Sequence, residues 1–171
     1  MENPFKPSES NPCILLITGS TAFLAILVIA IIDQRYDDPY LIASFGATAV
    51  LIYGAPKAPF SQPKNVFFGH LFSAIIGVTI AWLFHELDLY ADYYPVAIAL
   101  AVAVAIVVMM ITGTIHPPGG ATALTCVLNG YFAAEYIFRP VMLGIVLMMT
   151  IAYCANYLKA KCEKKDQNKT V

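Results

Sequence analysis

Apolar and polar positions divide the chain into six hydrophobic runs of two lengths. Residues 13–32, 66–84, 95–111 and 141–158 each approach or reach the roughly 20 residues that carry a helix across a bilayer core. The other two are short. Residues 40–54 are apolar, but Ser44 to Gly46 weakens the first third and leaves about 45–53 as helix, roughly 14 Å long. A second short helix is expected over about 120–128. The pattern predicts an all-α integral membrane protein with four full spans plus two short helices, each reaching half-way through.

The second short helix follows a stretch rich in helix breakers, Thr114-Ile115-His116-Pro117-Pro118-Gly119-Gly120. Two prolines supply no backbone N–H, and a residue before proline is pushed out of the α region. One helix therefore stops, a few residues run extended, and another starts with Pro and Gly near its N-terminus. The first short segment carries the same theme, because Gly46-Ala47-Thr48-Ala49 recurs as Gly120-Ala121-Thr122-Ala123, 74 residues later. Each copy follows a long apolar run and precedes a polar loop and another long run. Two repeats are expected, about 13–84 and 95–158, each a long helix, a broken or half helix and a long helix. If the short segments carry the chain across, three crossings per repeat invert the second repeat relative to the first, a recurrent transporter plan. If they dip in and return, only four spans cross.

Composition agrees with a bilayer environment. Of 171 residues, 59% are hydrophobic and 12% charged, with the charges in the ends and loops; a soluble domain carries roughly twice that charge. A formal net charge of −1 offers nucleic acid no basic surface. Lys57 and Lys64 occupy one loop, and Lys159, Lys161, Lys164, Lys165 and Lys169 make residues 159–171 a basic tail. The loops around Asp33 and Glu86 are acidic and aromatic. The positive-inside bias places the C-terminal tail in the cytoplasm, with the protein in the cell (inner) membrane. Residues 1–12 read as a flexible tail without signal-peptide features. Cys13, Cys126, Cys154 and Cys162 have no CxxC or framework spacing and read as reduced packing residues.

A half-helix starting at membrane depth leaves its first N–H groups unpaired, and its macrodipole adds partial positive charge there. Two such ends aimed at one point would bind a small inorganic anion without a charged side chain. The expected donors are Gly46, Ala47, Thr48, Gly120, Ala121 and Thr122, with Ser44, Phe45 and Gly119 beside them. His116, Pro117 and Pro118 would hold the break. Gln62, Asn65 and His70 would line or brace the cytoplasmic mouth. His70 lies inside a span, where an ionisable residue points to function, and either histidine could carry or gate a proton. The plainer readings are glycines that allow close packing, threonines bonded to their own helix, and imidazoles bonded to facing carbonyls.

Enzyme chemistry finds no set of residues. His85-Glu86 opens like a zincin motif, but Leu89 stands where the second histidine belongs. No phosphate loop is present, the histidines and cysteines lack metal-ligand spacing, and neither cofactor nor metal is expected.

Three blocks carry a resemblance: Ser44-Phe45-Gly46-Ala47-Thr48-Ala49-Val50-Leu51; Gln62-Pro63-Lys64-Asn65 with Gly69-His70; and His116-Pro117-Pro118-Gly119-Gly120-Ala121-Thr122-Ala123-Leu124. Together they resemble the HPP family of small integral membrane proteins, from about Tyr40 to Leu158. Lys64 stands where Arg is common and Thr48 where Ser is common. The resemblance implies transport, since some plastid and cyanobacterial relatives are nitrite transporters. The family's usual four-span description fits six elements if the half-helices go uncounted. The expected function is a transporter or channel for a small monovalent anion, nitrite first. The rivals are a carrier of another small solute or cation, and a non-transporting scaffold or sensor module. A bundle this small encloses little space, which makes a homo-oligomer an expected arrangement.

Overall fold

A computed structural model describes residues 11–36 and 41–167, and among them every regular element is helical. Four long apolar helices form the frame. Helix α1 spans Pro12–Tyr36, α3 Pro63–Glu86, α4 Tyr90–Thr112 and α6 Leu143–Gln167, the last entered through a π-helical turn at Ile137–Met142. Four helical segments, Pro12–Tyr36, Pro63–Glu86, Tyr90–Thr112 and Ile137–Lys164, are long and apolar enough to cross a membrane. Two short helices complete the set: α2 at Ala43–Ala49, continued as a π-helix over Val50–Gly54, and α5 at Pro117–Leu128.

Local sequence accounts for the boundaries. α4 ends where Gly113 turns left-handed at φ 62° and Thr114 N–H reaches back to the Met109 carbonyl, a glycine-dependent helix stop. The chain then runs extended through His116, and α5 begins at Pro117, three residues before the expected start, because proline suits the first helical position. α6 continues past Leu158, so residues 159–167, expected as a solvated tail, are helical. The proposed flexible tail over 1–12 lies largely outside the described residues.

Side-chain contacts fix which ends lie together. Cys13 of α1 and Cys162 of α6 are joined as a disulfide, Cα atoms 6.5 Å apart. This corrects the reading of these two as reduced packing residues: their helices lie alongside each other, bringing sites 149 residues apart in sequence together. Cys126 is buried and Cys154 exposed, both as free thiols. Lys159 donates to the Tyr53 carbonyl at the end of the first short helix. Asn65 of α3 donates to the Ile115 carbonyl, 2.9 Å away. At the opposite end Tyr90 donates to the Val127 carbonyl, and His85 stacks on Phe132 at 4.4 Å. Both short segments therefore link opposite ends of the bundle.

Two apolar cores result. One gathers Ala25, Ile29, Phe45, Tyr53, Ile145 and Met148 from α1, α2 and α6. The other packs Ala81, Ala97, Ala101, Ala105, Ala123 and Val127 where α3, α4 and α5 meet. Alanine at these crossings lets the backbones approach closely. Outward-facing Leu15, Leu16, Phe23, Ile111 and Tyr153 remain exposed on the bundle, as lipid contact requires.

Candidate functional site

Ser44 and Thr48 lie one turn apart on α2, so their side chains share a face. That face meets α3 and α5. His70 sits about two turns into α3, and Thr122 sits on the inner face of α5. His116 is the residue just before α5, with extended backbone. All five side chains are buried; Thr48, His70, His116 and Thr122 are each 0% exposed. Extended backbone before a proline is what turns His116 inward.

Together they form one hydrogen-bonded chain. Thr122 Oγ1 donates to Ser44 Oγ at 2.9 Å and lies 2.8 Å from His70 Nδ1. The other ring nitrogen, His70 Nε2, is 2.8 Å from Thr48 Oγ1. The same hydroxyl is 3.1 Å from His116 Nε2. His116 Nδ1 is 2.8 Å from the Phe60 carbonyl, in the short turn Pro59–Ser61. A weaker 3.4 Å approach from Thr122 Oγ1 to the Pro118 carbonyl is the back-bond helical threonines make. The two imidazoles lie 4.9 Å apart, and the Phe45 ring stands edge-on 6.1 Å from His70. No carboxylate or cation is hydrogen-bonded to this cluster among the described residues.

The contact order sets the helix directions. Ser44 meets Thr122, while Thr48, further along α2, meets His116, which precedes α5. The short helices thus run antiparallel, side by side. The expected geometry, two N-termini aimed at a common point, differs from this. Hydroxyls and imidazoles occupy the space between them. At α5 Pro117 and Pro118 have no N–H, and Gly119 N–H is taken by the His116 carbonyl at 2.8 Å. Gly120, Ala121 and Thr122 lie inside the helix, where N–H groups bond four residues back. Donors at this centre are therefore side-chain groups.

The glycines separate in role. Gly46 and Ala47 are exposed on the outer face of α2, Gly120 and Ala121 are half-buried, and a Cβ on Gly46 or Gly120 would meet nothing within 4 Å. A Cβ on Gly119 would stand 2.8 Å from Ser73 Oγ and 2.9 Å from the Gly69 carbonyl. Gly69 passes His116 as closely, and Gly77 passes Ala123 and Cys126. Gly69, Ser73 and Gly77, four residues apart, form the groove of α3 that receives α5. Sequence reasoning missed this stripe, although its small-xxx-small spacing was a readable signal. It also missed the Phe60 carbonyl, which no local signal marks.

The supporting residues brace the mouth. Gln62 donates to the Pro56 and Ala58 carbonyls at 3.3 and 3.1 Å, and Asn65 pins the break through Ile115. His70 lies deeper, within the cluster. A cavity of about 230 Å³ opens beside them, lined by Ile52, Ser61, Gln62, Val66, Met149 and Asn156.

Residues 7–165 match the family model described as HPP, transmembrane region. The chain is 37% identical over 156 residues to one transmembrane protein of Dictyostelium discoideum, covering 84% of this chain and 52% of that one. It is 41% identical over 148 residues to another from the same organism, covering 82% of this chain and 47% of that one. The chain thus spans about half the length of these relatives. No solved structure matches.

Proposed function

Because the chain belongs to the HPP transmembrane family, we propose that it is a membrane transporter or channel for a small monovalent anion, nitrite first. The observation that carries this reading is the buried polar cluster, with no carboxylate, lysine or arginine bonded to it among the described residues, where the two short helices lie side by side inside the bundle. Non-helical backbone at membrane depth is tolerated where protein or a water-filled path surrounds it. Ser44, Thr48, Thr122 and the two imidazoles offer hydrogen-bond donors, and the helix starts add partial positive charge. A field without a fixed cation binds an anion weakly enough to release it again.

Gly46 and Ala47 lie on the outer face of α2, away from the cluster, and the half-buried Gly120 and Ala121 leave room for an ion beside it. Phe45 and Gly119 wall the inner side. Pro117 and Pro118 hold the break, while Gln62 and Asn65 hold the mouth at the end bearing the basic C-terminal helix. We place that end in the cytoplasm and the protein in the cell membrane, on the bias of its lysines. The repeated Gly-Ala-Thr-Ala tetrads and the antiparallel short helices support an inverted repeat.

Purified protein in liposomes should pass nitrite faster than empty vesicles, with nitrate, chloride and formate run in parallel. Thr122→Ala deletes one donor worth about 1 kcal/mol and should slow nitrite several-fold. Failure of all four anions to move faster than in empty vesicles would remove the proposal. A cation reversal potential would favour a carrier of another class.

A further inference from the structure

Counting hydrogens in the cluster gives a result that burial alone does not. Five contacts link Ser44, Thr122, His70, Thr48, His116 and the Phe60 carbonyl in one line. Each contact needs one hydrogen. Phe60 contributes a carbonyl, which only accepts. The line can be completed in two ways. With Ser44 donating to Thr122, three hydroxyls and two neutral imidazoles supply five hydrogens for five bonds. With Thr122 donating to Ser44 instead, the remaining groups supply four, and one added proton completes the line.

We propose that His70, Thr48 and His116 form a proton-binding site holding one shared proton, and that this proton crosses the membrane together with the anion; the second half rests on the transport reading. The loaded state has two forms. In one, His116 carries both ring hydrogens, Thr48 donates to His70 Nε2, and His70 Nδ1–H donates to Thr122. In the other, His70 carries both and Thr48 turns to donate to His116 Nε2. The two forms exchange when His116 Nε2 passes its hydrogen to Thr48 Oγ1 and Thr48 passes its own to His70 Nε2, without moving a heavy atom.

The unloaded state follows from the same geometry. Ser44 turns to donate to Thr122, Thr122 to His70 Nδ1, His70 Nε2–H to Thr48, and Thr48 to His116 Nε2. His116 Nδ1–H keeps the Phe60 carbonyl. A proton arriving at Ser44 Oγ displaces the Ser44 hydrogen onto Thr122, and each group passes its own hydrogen on until His116 Nε2 is protonated. One proton enters, the cluster gains one positive charge, and every bond is retained.

The surroundings limit the site to one proton. The rings are 4.9 Å apart and fully buried, so a second imidazolium would meet strong repulsion. From α2 the site faces Ser44, Phe45 and Thr48, from α3 Ser73 and Gly69, from α5 Pro118 and Thr122, and from the 59–61 turn a carbonyl. α4 contributes Met109, against Ser73. Among these groups only the two imidazoles titrate. Ser44, the terminal hydroxyl of the line, is the end at which this scheme takes up the proton.

Two measurements test this. In bilayers, ¹⁵N-histidine spectra of a His85→Gln background report the pair alone, since the chain has three histidines. One proton should be taken up between the two rings as pH falls. Both rings staying neutral, or both charging, would overturn the site. In liposomes with the potential clamped, an inward gradient of one pH unit should drive nitrite accumulation of about tenfold at one-to-one coupling. Because nitrous acid crosses lipid, initial rates are compared with empty vesicles. Thr48→Val, similar in shape but lacking the hydroxyl, should lose the ratio of gradient-driven to gradient-free uptake, and Thr48→Ser should keep it. A gradient-independent rate in the parent protein would overturn the coupling. If no anion moves at all, the transport reading fails and the spectra alone decide the proton site.

Discussion

A methyl group on Gly119 would stand 2.8 Å from the Ser73 hydroxyl and 2.9 Å from the Gly69 carbonyl. Backbone on one side leaves little room to yield. Gly119→Ala should therefore lower stability by about 1–3 kcal/mol, the usual cost of overpacking. Gly46→Ala, with open space around it, should be neutral or stabilise by up to about 1 kcal/mol through helix propensity. Thermal unfolding of both variants in one detergent compares them directly. The repeated tetrad gave Gly46 and Gly120 the same status, and both indeed have room, whereas the glycine under pressure is Gly119. The difference depends on α3, whose groove faces α5 and not α2. The threonines and histidines were legible singly, as polar groups in apolar runs. That His70 and His116 converge on one hydroxyl was not, because 46 residues separate them and no local pattern states their pairing.

At the level of the helix, the first short segment ends on the Tyr53 carbonyl, capped by the buried Lys159 ammonium. A cation at a helix C-terminus satisfies an otherwise free carbonyl and opposes the negative end of the dipole. Lys159→Met keeps the stem's packing and removes the charge. It should cost about 1.5–3 kcal/mol, and amide exchange over residues 50–54 should quicken ahead of that in α3. Run lengths made the helices readable: four long and two short follow from how many apolar residues separate the loops. Their ends were less readable. α5 starts at Pro117 because proline opens a helix well, and α6 runs on through its lysines because nothing in them stops it. Lys159 read as a solvated tail residue, since an ammonium at the end of an apolar run gives no sign of the carbonyl it will meet.

Across the whole molecule, α1 and α6 pack together on one side while α3, α4 and α5 form the other. The short helix α2 shares its core with the first group, and its polar face is bonded into the second. The buried cluster lies on that seam. The number of crossings was left open by the sequence, since the five connections among six apolar runs could be threaded in two ways. Contacts from Asn65 to Ile115 and from Tyr90 to Val127 put the two ends of the second short segment at opposite ends of α3.

The 6.5 Å between the Cα atoms of Cys13 and Cys162 makes neighbours of the two outermost helix ends. Helices held this close can be rewired: a short linker can join α6 just after Cys162 to α1 just before Cys13, and new termini can be cut elsewhere. The Leu87–Leu89 bend between α3 and α4, where Asp88 already takes a positive φ of 54°, is a suitable opening. Such a permutant should elute from size-exclusion chromatography like the parent and melt within a few degrees of it. If it aggregates instead, the order in which the helices are synthesised matters more to assembly than their final neighbours do.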